Sequence, residues 1–219
     1  MTDAEIETLI DEKIRVHDQD PYAHALAELQ LRLQLAESKT GMWSVVAADT
    51  FAGSGALGST PVGNLPWSTN GLERVNDRIR HPTDGFAAAW LNAAMADGQI
   101  EANLYPGGNE ASLYVRLNAA LNQWLILQRS STGSIRLFIQ WAGTTIPLVP
   151  AVSRPVVDGE RYKIRFLGAD IWVFRMFDGE EEFLFSVSES RLSGETIHGI
   201  RLNGGGSVDD YKILKREAI

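Results

Sequence analysis

Residues 123–141 read QWLILQRSSTGSIRLFIQW, two alternating runs around a polar, glycine-containing turn. In the second run, Leu137, Ile139 and Trp141 fall on one side of an extended chain and Arg136, Phe138 and Gln140 on the other, because successive side chains of a strand point to opposite faces. Ser131-Thr132-Gly133-Ser134 places glycine where a turn between strands wants positive φ. The stretch therefore predicts a β-hairpin, with strands over Gln123 to Arg129 and Ile135 to Trp141.

The same pattern extends in both directions. Further strands are expected over Gly98 to Leu104, Ala111 to Leu117, Tyr162 to Leu167, Ile171 to Phe177, Glu182 to Val187, Ile197 to Leu202 and Asp209 to Leu214. Leu167-Gly168-Ala169-Asp170 and Phe177-Asp178-Gly179-Glu180 supply two more hairpin turns. Strands spaced by roughly 8 to 12 residues with turn signals between them predict an antiparallel β-sandwich. The fold class is thus mostly β, preceded by short N-terminal α-helices.

Composition limits the partners. The 219 residues are 44% hydrophobic, enough for one ordinary core plus an appendage. A net charge of -8 argues against nucleic acid, since phosphate binding needs clustered Lys and Arg. With no cysteine there is neither a disulfide framework nor a thiolate metal site. The opening MTDAEIETLIDEK lacks a basic start and an apolar stretch, and no run of about 18 apolar residues follows. The expectation is a soluble chain without membrane insertion, released by lysis or assembly.

Periodicity changes near residue 40. Ile6, Leu9, Lys13 and Val16 follow a 3-4-3 spacing, and Leu26, Leu29, Leu33 and Ala36 repeat it. Two short helices are predicted. Their seams lie 20 residues apart rather than the 21 of three heptads, and the mismatch falls at Asp20-Pro21, which disfavours helix. Thr2 or Asp3 can cap the first helix, and Asp20 the second with Pro21 at its first position. Helices this short are marginal alone, so the seam needs a partner. It lies either on the chain's own sandwich or, the reading adopted, in a parallel homo-oligomer, expected to be a trimer, with Lys13 setting register. His17 and His24 could meet at a metal on the trimer axis, or simply hydrogen-bond the helix break, for which a proline turn with polar flanks is sufficient reason.

The segment joining the two seams, VHDQDPYAHAL at residues 16–26, resembles the His-(Asn/Asp)-x-(Asp/Ser)-Pro-x-Ala-His element of tail-fibre, tail-spike and other appendage proteins of tailed bacteriophages. The later part of the chain resembles the concanavalin-like or laminin-G-like jelly-roll domains. Its opening carries Asp49-Thr50-Phe51, Leu57-Gly58 and Pro66-Trp67, and its close carries Gly206-Ser207-Val208-Asp209-Asp210-Tyr211-Lys212-Ile213. Between them come Asn122-Gln123-Trp124 and Asp170-Ile171-Trp172-Val173-Phe174. This resemblance spans residues 41–216 and divides the chain into a helical oligomerisation and virion-docking stalk, 1–40, and a sandwich, 41–219.

Fold alone does not assign function. β-Glucan hydrolases on this fold carry a Glu-x-Asp-x-x-Glu or Glu-x-Asp-x-Glu strand, and retaining chemistry needs two carboxyls about 5 Å apart. No such strand occurs; Asp178-Gly179-Glu180-Glu181-Glu182 reads as a solvated turn. There is no Gly-x-Ser-x-Gly elbow, His-Glu-x-x-His helix or phosphate loop. A non-catalytic binding module is expected, with carbohydrate as ligand. If the polar strand faces share one surface, Tyr114, Arg116, Arg136, Gln140, Lys163 and Arg165 would form a basic, aromatic patch suited to an anionic host-surface glycan; ordinary outward-facing positions are the alternative. Trp43, Trp67, Trp90, Trp124 and Trp172 are expected to pack rather than bind. No cofactor is required, although Asp49 and Asp209 could offer oxygen ligands to Ca2+ if the first and last strands pair. Two functions follow: a virion appendage attaching to host glycan, helped by multivalency, or a structural virion part, such as a capsid fibre, decoration protein or baseplate adaptor, whose sandwich contacts other virion proteins.

Overall fold

The computed structural model describes residues 43–81, 85–177 and 179–217. The predicted helices of domain 1–40, their seam from Ile6 to Ala36, and His17 and His24 lie outside these residues. In chain order the strands are β1 Trp43–Asp49, β2 Gly55–Ala56, β3 Ser68–Thr69, β4 Glu73–Arg74, β5 Ile79–Arg80, β6 Phe86–Asn92, β7 Gly98–Tyr105, β8 Glu110–Leu117 and β9 Trp124–Ser130. They continue as β10 Ser134–Trp141, β11 Thr144–Pro147, β12 Val152–Ser153, β13 Glu160–Leu167, β14 Asp170–Phe177, β15 Glu180–Ser188, β16 Ile197–Asn203 and β17 Ser207–Arg216.

Among the described residues these strands form two antiparallel sheets. A nine-stranded sheet runs β15-β14-β13-β7-β17-β5-β4-β2, with β1 also paired to β17. An eight-stranded sheet runs β11-β10-β9-β8-β16-β6-β3, with β12 also paired to β10. All nine strands expected from alternation are present, with ends that differ by at most a few residues. The strand β6, FAAAWLN, carries no alternation signal because three alanines fill its centre; its neighbours hold it extended, not its own propensity.

The expected hairpin at residues 123–141 forms, with Leu127 opposite Leu137 and Gln128 opposite Arg136. Gly133 in its turn has φ +91°, and a Cβ there would lie 2.6 Å from the Arg154 carbonyl oxygen, so both conformation and close approach call for glycine. The inward residues Leu125, Leu127, Ile135, Leu137 and Ile139 of one sheet and Tyr162, Ile164 and Phe166 of the other belong to a single core. Each such large apolar side chain contributes about 1.5–3 kcal/mol by leaving water.

The two ends of the sandwich sequence meet as expected, with Asp49 of β1 opposite Tyr211 of β17. A knot of side chains locks this corner. Trp67 packs between Phe51 and Tyr211, tilted against the first and edge-on to the second, with ring centroids 5.9 and 5.4 Å away. The Asp49 carboxylate beneath accepts hydrogen bonds from the Phe51 N–H at 2.7 Å, the Trp67 indole N–H at 3.1 Å and the Arg74 guanidinium at 3.0 Å.

Candidate functional site

Cross-strand register determines which side chains share a surface, since directly paired residues of an antiparallel ladder point to the same face. On the outer face of the eight-stranded sheet, three rows cross the strands. One reads Pro147, Phe138, Ile126, Tyr114, Gly199, Trp90 and Ser68. A polar row beside it reads Arg136, Gln128, Ser112, Arg201 and Ala88. On the other flank come Thr145, Gln140, Trp124, Leu117 and Ile197. This face therefore carries a small apolar cluster of its own, separate from the core, in which Ala88, Tyr114, Leu117 and Ile126 are buried and Trp90, Trp124 and Phe138 are half-buried around them.

Over the β9–β10–β11 side of this face lies a groove of roughly 560 Å³. Its floor includes Trp124, Gln128, Arg136, Phe138, Gln140 and Arg201, and Pro147, Val149, Pro150 and Ala151 wall it where the chain turns between β11 and β12. Trp124 meets Tyr114 edge-on at 6.1 Å. Arg201 is held from two sides, its guanidinium 4.0 Å above the Phe86 ring and 3.8 Å from a Glu110 carboxylate oxygen. Glu110 also accepts a hydrogen bond from the Gln128 amide. The buried Ser112 Oγ and Trp124 Nε1 have no hydrogen-bond partner among the described residues. Burial pushes the Tyr114 hydroxyl pKa up, a rise that Arg201 partly offsets, so Tyr114 offers a neutral O–H.

This arrangement recruits half of the expected patch. Tyr114, Arg136 and Gln140 share the face. Arg116 does not, because a β-bulge between Tyr114 and Arg116 breaks the period of two and turns both Val115 and Arg116 inward. Arg116 is 0% exposed, donates to the Ala96 and Gly168 carbonyls at 3.0 and 2.7 Å, and sits over the Phe166 ring. Its work is to fasten loops across the core. Lys163 and Arg165 are in β13, in the other sheet, so the polar strand faces do not form one surface. There Lys163 pairs with Glu181, and Arg165 bonds the Gln99 amide oxygen at 2.6 Å and lies 3.4 Å from Glu181. Both cations thus share the Glu181 carboxylate on their own sheet.

The tryptophans divide. Trp67 packs in the core as expected, whereas Trp90 and Trp124 stand on the outer face and line the rows described above. Gln128, Phe138, Ser112 and Arg201 were also missed as site residues. The signal was present for the first two, because Trp124, Ile126 and Gln128 alternate against Leu125 and Leu127 as the next strand does. Nothing local places Arg201 opposite Ser112; only the pairing of β16 with β8 does.

The geometry around Asp49 argues against the calcium expectation. The first and last strands do pair, but both Asp49 oxygens already receive donors, one of them the Arg74 guanidinium. A cation there would meet a positive charge and fixed N–H groups in place of free oxygens. Asp209 spends one oxygen on the Asp210 N–H at 2.6 Å; burial pushes its pKa up, partly opposed by that bond. No cluster of three His, Cys, Asp or Glu side chains suited to a metal occurs among the described residues.

No family model and no curated protein matches the sequence. Solved structures do. The chain is similar to the carbohydrate-binding module CBM66 from Bacillus subtilis, 13% identical with a TM-score of 0.60, over 68% of this chain and 95% of that one. It is also similar to the exoplasmic/lumenal domain of VIP36 in its Ca2+/Man-bound form, 8% identical with a TM-score of 0.60, over 81% and 98%. A Bacillus licheniformis β-glucanase shares 9% identity and a TM-score of 0.55, over 78% and 97%. At such identities the likeness is one of fold: the described chain is a two-sheet antiparallel β-sandwich of jelly-roll type.

Proposed function

We propose that the sandwich is a non-catalytic glycan-binding domain whose ligand lies in the groove on the outer face of the eight-stranded sheet. The observation that carries this reading is the in-register placement of Trp124, Phe138 and Tyr114 beside Arg136, Gln128, Gln140 and Arg201. A pyranose presents an apolar face and a rim of hydroxyls, and its binding needs an aromatic platform flanked by donors and acceptors. Solved structures of the same fold, a carbohydrate-binding module and a Ca2+/Man-bound lumenal domain, add support.

Binding is favoured over hydrolysis by the chemistry of the face. Glycoside cleavage needs two carboxyl groups flanking the scissile bond; the three rows described carry no acidic side chain, and Glu110, in the next row, is already engaged by Gln128 and faces Arg201. We place the domain in a virion appendage of a tailed bacteriophage, the reading supported by the resemblance of residues 16–26, with residues 1–40 forming an oligomeric helical stalk that docks on the particle. Clustering several weak sites on one stalk would raise avidity without new contacts.

A glycan array probed with the full chain tests the binding claim. Discrete glycan signals that fall at least about tenfold on Trp124→Ala, with the unfolding midpoint retained, are the expected result. Silence across host-surface glycans together with tight binding to another virion protein would overturn it in favour of a structural role. Light scattering on the full chain reports the stalk; a monomer would refute the oligomer.

A further inference from the structure

The groove carries an electrostatic asymmetry. In a chain of net charge -8, the residues lining it include two arginines, Arg136 and Arg201, and no Asp or Glu. Several other arginines of the sandwich are matched to carboxylates: Arg154 to Glu182, Arg161 to Glu101 and Asp210, Arg191 to Glu189. Arg136 forms no ion pair among the described residues. Its Nε donates to Ser134 Oγ at 3.0 Å, which orients the guanidinium and leaves its charge uncompensated.

Arg136 and Arg201 stand at the two ends of the polar row, separated by Gln128 and Ser112. That is three strand spacings, about 14 Å between backbones. Arg201 is pre-oriented by Phe86 and offset in charge by Glu110, so the net positive potential of the row concentrates at Arg136, beside the Trp124 and Phe138 rings. A planar guanidinium fork next to an aromatic platform suits a sugar carrying an anionic group, which it can engage with two parallel N–H donors.

We infer that the ligand of this groove is an anionic glycan, its ring stacked at Trp124 and Phe138 and its carboxylate or sulfate held by Arg136, with Arg201 taking a second charge or hydroxyl along the row. This inference rests on the glycan-binding reading above and specifies its substrate class. It also implies a salt-dependent affinity, because Arg136 is exposed and its interactions are screened at high ionic strength.

Titration calorimetry of the full chain with trigalacturonic acid, a sulfated chondroitin oligosaccharide and maltotriose, at low and high salt, tests it. At least one of the two anionic probes should bind about tenfold or more tighter than maltotriose, and the advantage should shrink as salt rises. Arg136→Ala should abolish the preference while retaining the unfolding midpoint, and Arg136→Lys should keep part of it, since charge survives but the fork does not. The relative affinities of the carboxylated and sulfated probes distinguish the two anion sources. Maltotriose binding as tightly as both anions would overturn the anionic class and leave glycan binding intact. If none of the three binds, a glycan array decides: signals confined to neutral glycans overturn this inference alone, and silence overturns the proposed function with it.

Discussion

Replacing Asp49 by alanine removes the acceptor at the corner where the sandwich closes. The carboxylate is 1% exposed and receives three donors. Arg74 retains 20% side-chain exposure and can turn toward water, but Phe51 and Trp67 are buried and their N–H groups cannot. Each stranded buried donor costs about 1–3 kcal/mol, and loss of the charge partner of Arg74 adds to this, so Asp49→Ala should destabilise by roughly 3–5 kcal/mol. For a chain of this size that corresponds to a fall in melting temperature on the order of 10 °C. Asp49→Asn keeps one acceptor oxygen and should lose about half as much. Urea unfolding followed by tryptophan fluorescence measures both, and the same titration with millimolar Ca2+ or with chelator discriminates the roles proposed for this residue. The network predicts identical midpoints with and without calcium. An alanine variant within about 1 kcal/mol of wild type, or a wild-type midpoint raised by Ca2+ and lost in Asp49→Ala, would refute the assignment of Asp49 to the corner.

Lys163→Ala and Arg165→Ala, which alter the opposite sheet, should leave glycan affinity within twofold or so of wild type; calorimetry showing a larger loss would mean that the ligand occupies the nine-stranded face. A pH prediction comes from His198, which is 0% exposed between the Val115 and Met95 carbonyls at 2.5 and 3.0 Å. Burial lowers its pKa below the usual 6.5, against the raising effect of the two carbonyls and assisted by nearby Arg116. Because the unfolded histidine takes its proton first, its contribution to stability is complete above pH 6.5 and declines as pH falls toward the lowered folded value. Unfolding free energies measured from pH 8 to 5 should show this slope in wild type and a flatter one in His198→Gln. Equal slopes would discount the histidine.

Much of the fold was legible because alternation is a local property. The period of two in Ile135 to Trp141, and in the other alternating runs, is imposed by the half-buried strand itself, and glycines such as Gly133 mark the turns between them. Strand β6 was not legible, since Phe86-Ala-Ala-Ala-Trp90 encodes no face until its neighbours supply one. Arg116 misled for the opposite reason: the alternation was clean, but a single bulge reversed the parity after Tyr114.

By itself, then, the sequence determined the two-sheet β character, the positions of the hairpin turns and the inward set of each regular strand, because these depend on spacing within a few residues. Tertiary structure decided which outward residues become neighbours. Arg136 and Lys163 are equally outward-facing by spacing, yet one lines a groove with Trp124 while the other is neutralised by Glu181 on the opposite sheet. The physical reason is that a binding face is a row across strands, and the residues of a row, here Arg136, Gln128, Ser112 and Arg201, are set by long-range pairing between β10, β9, β8 and β16 that no local period encodes.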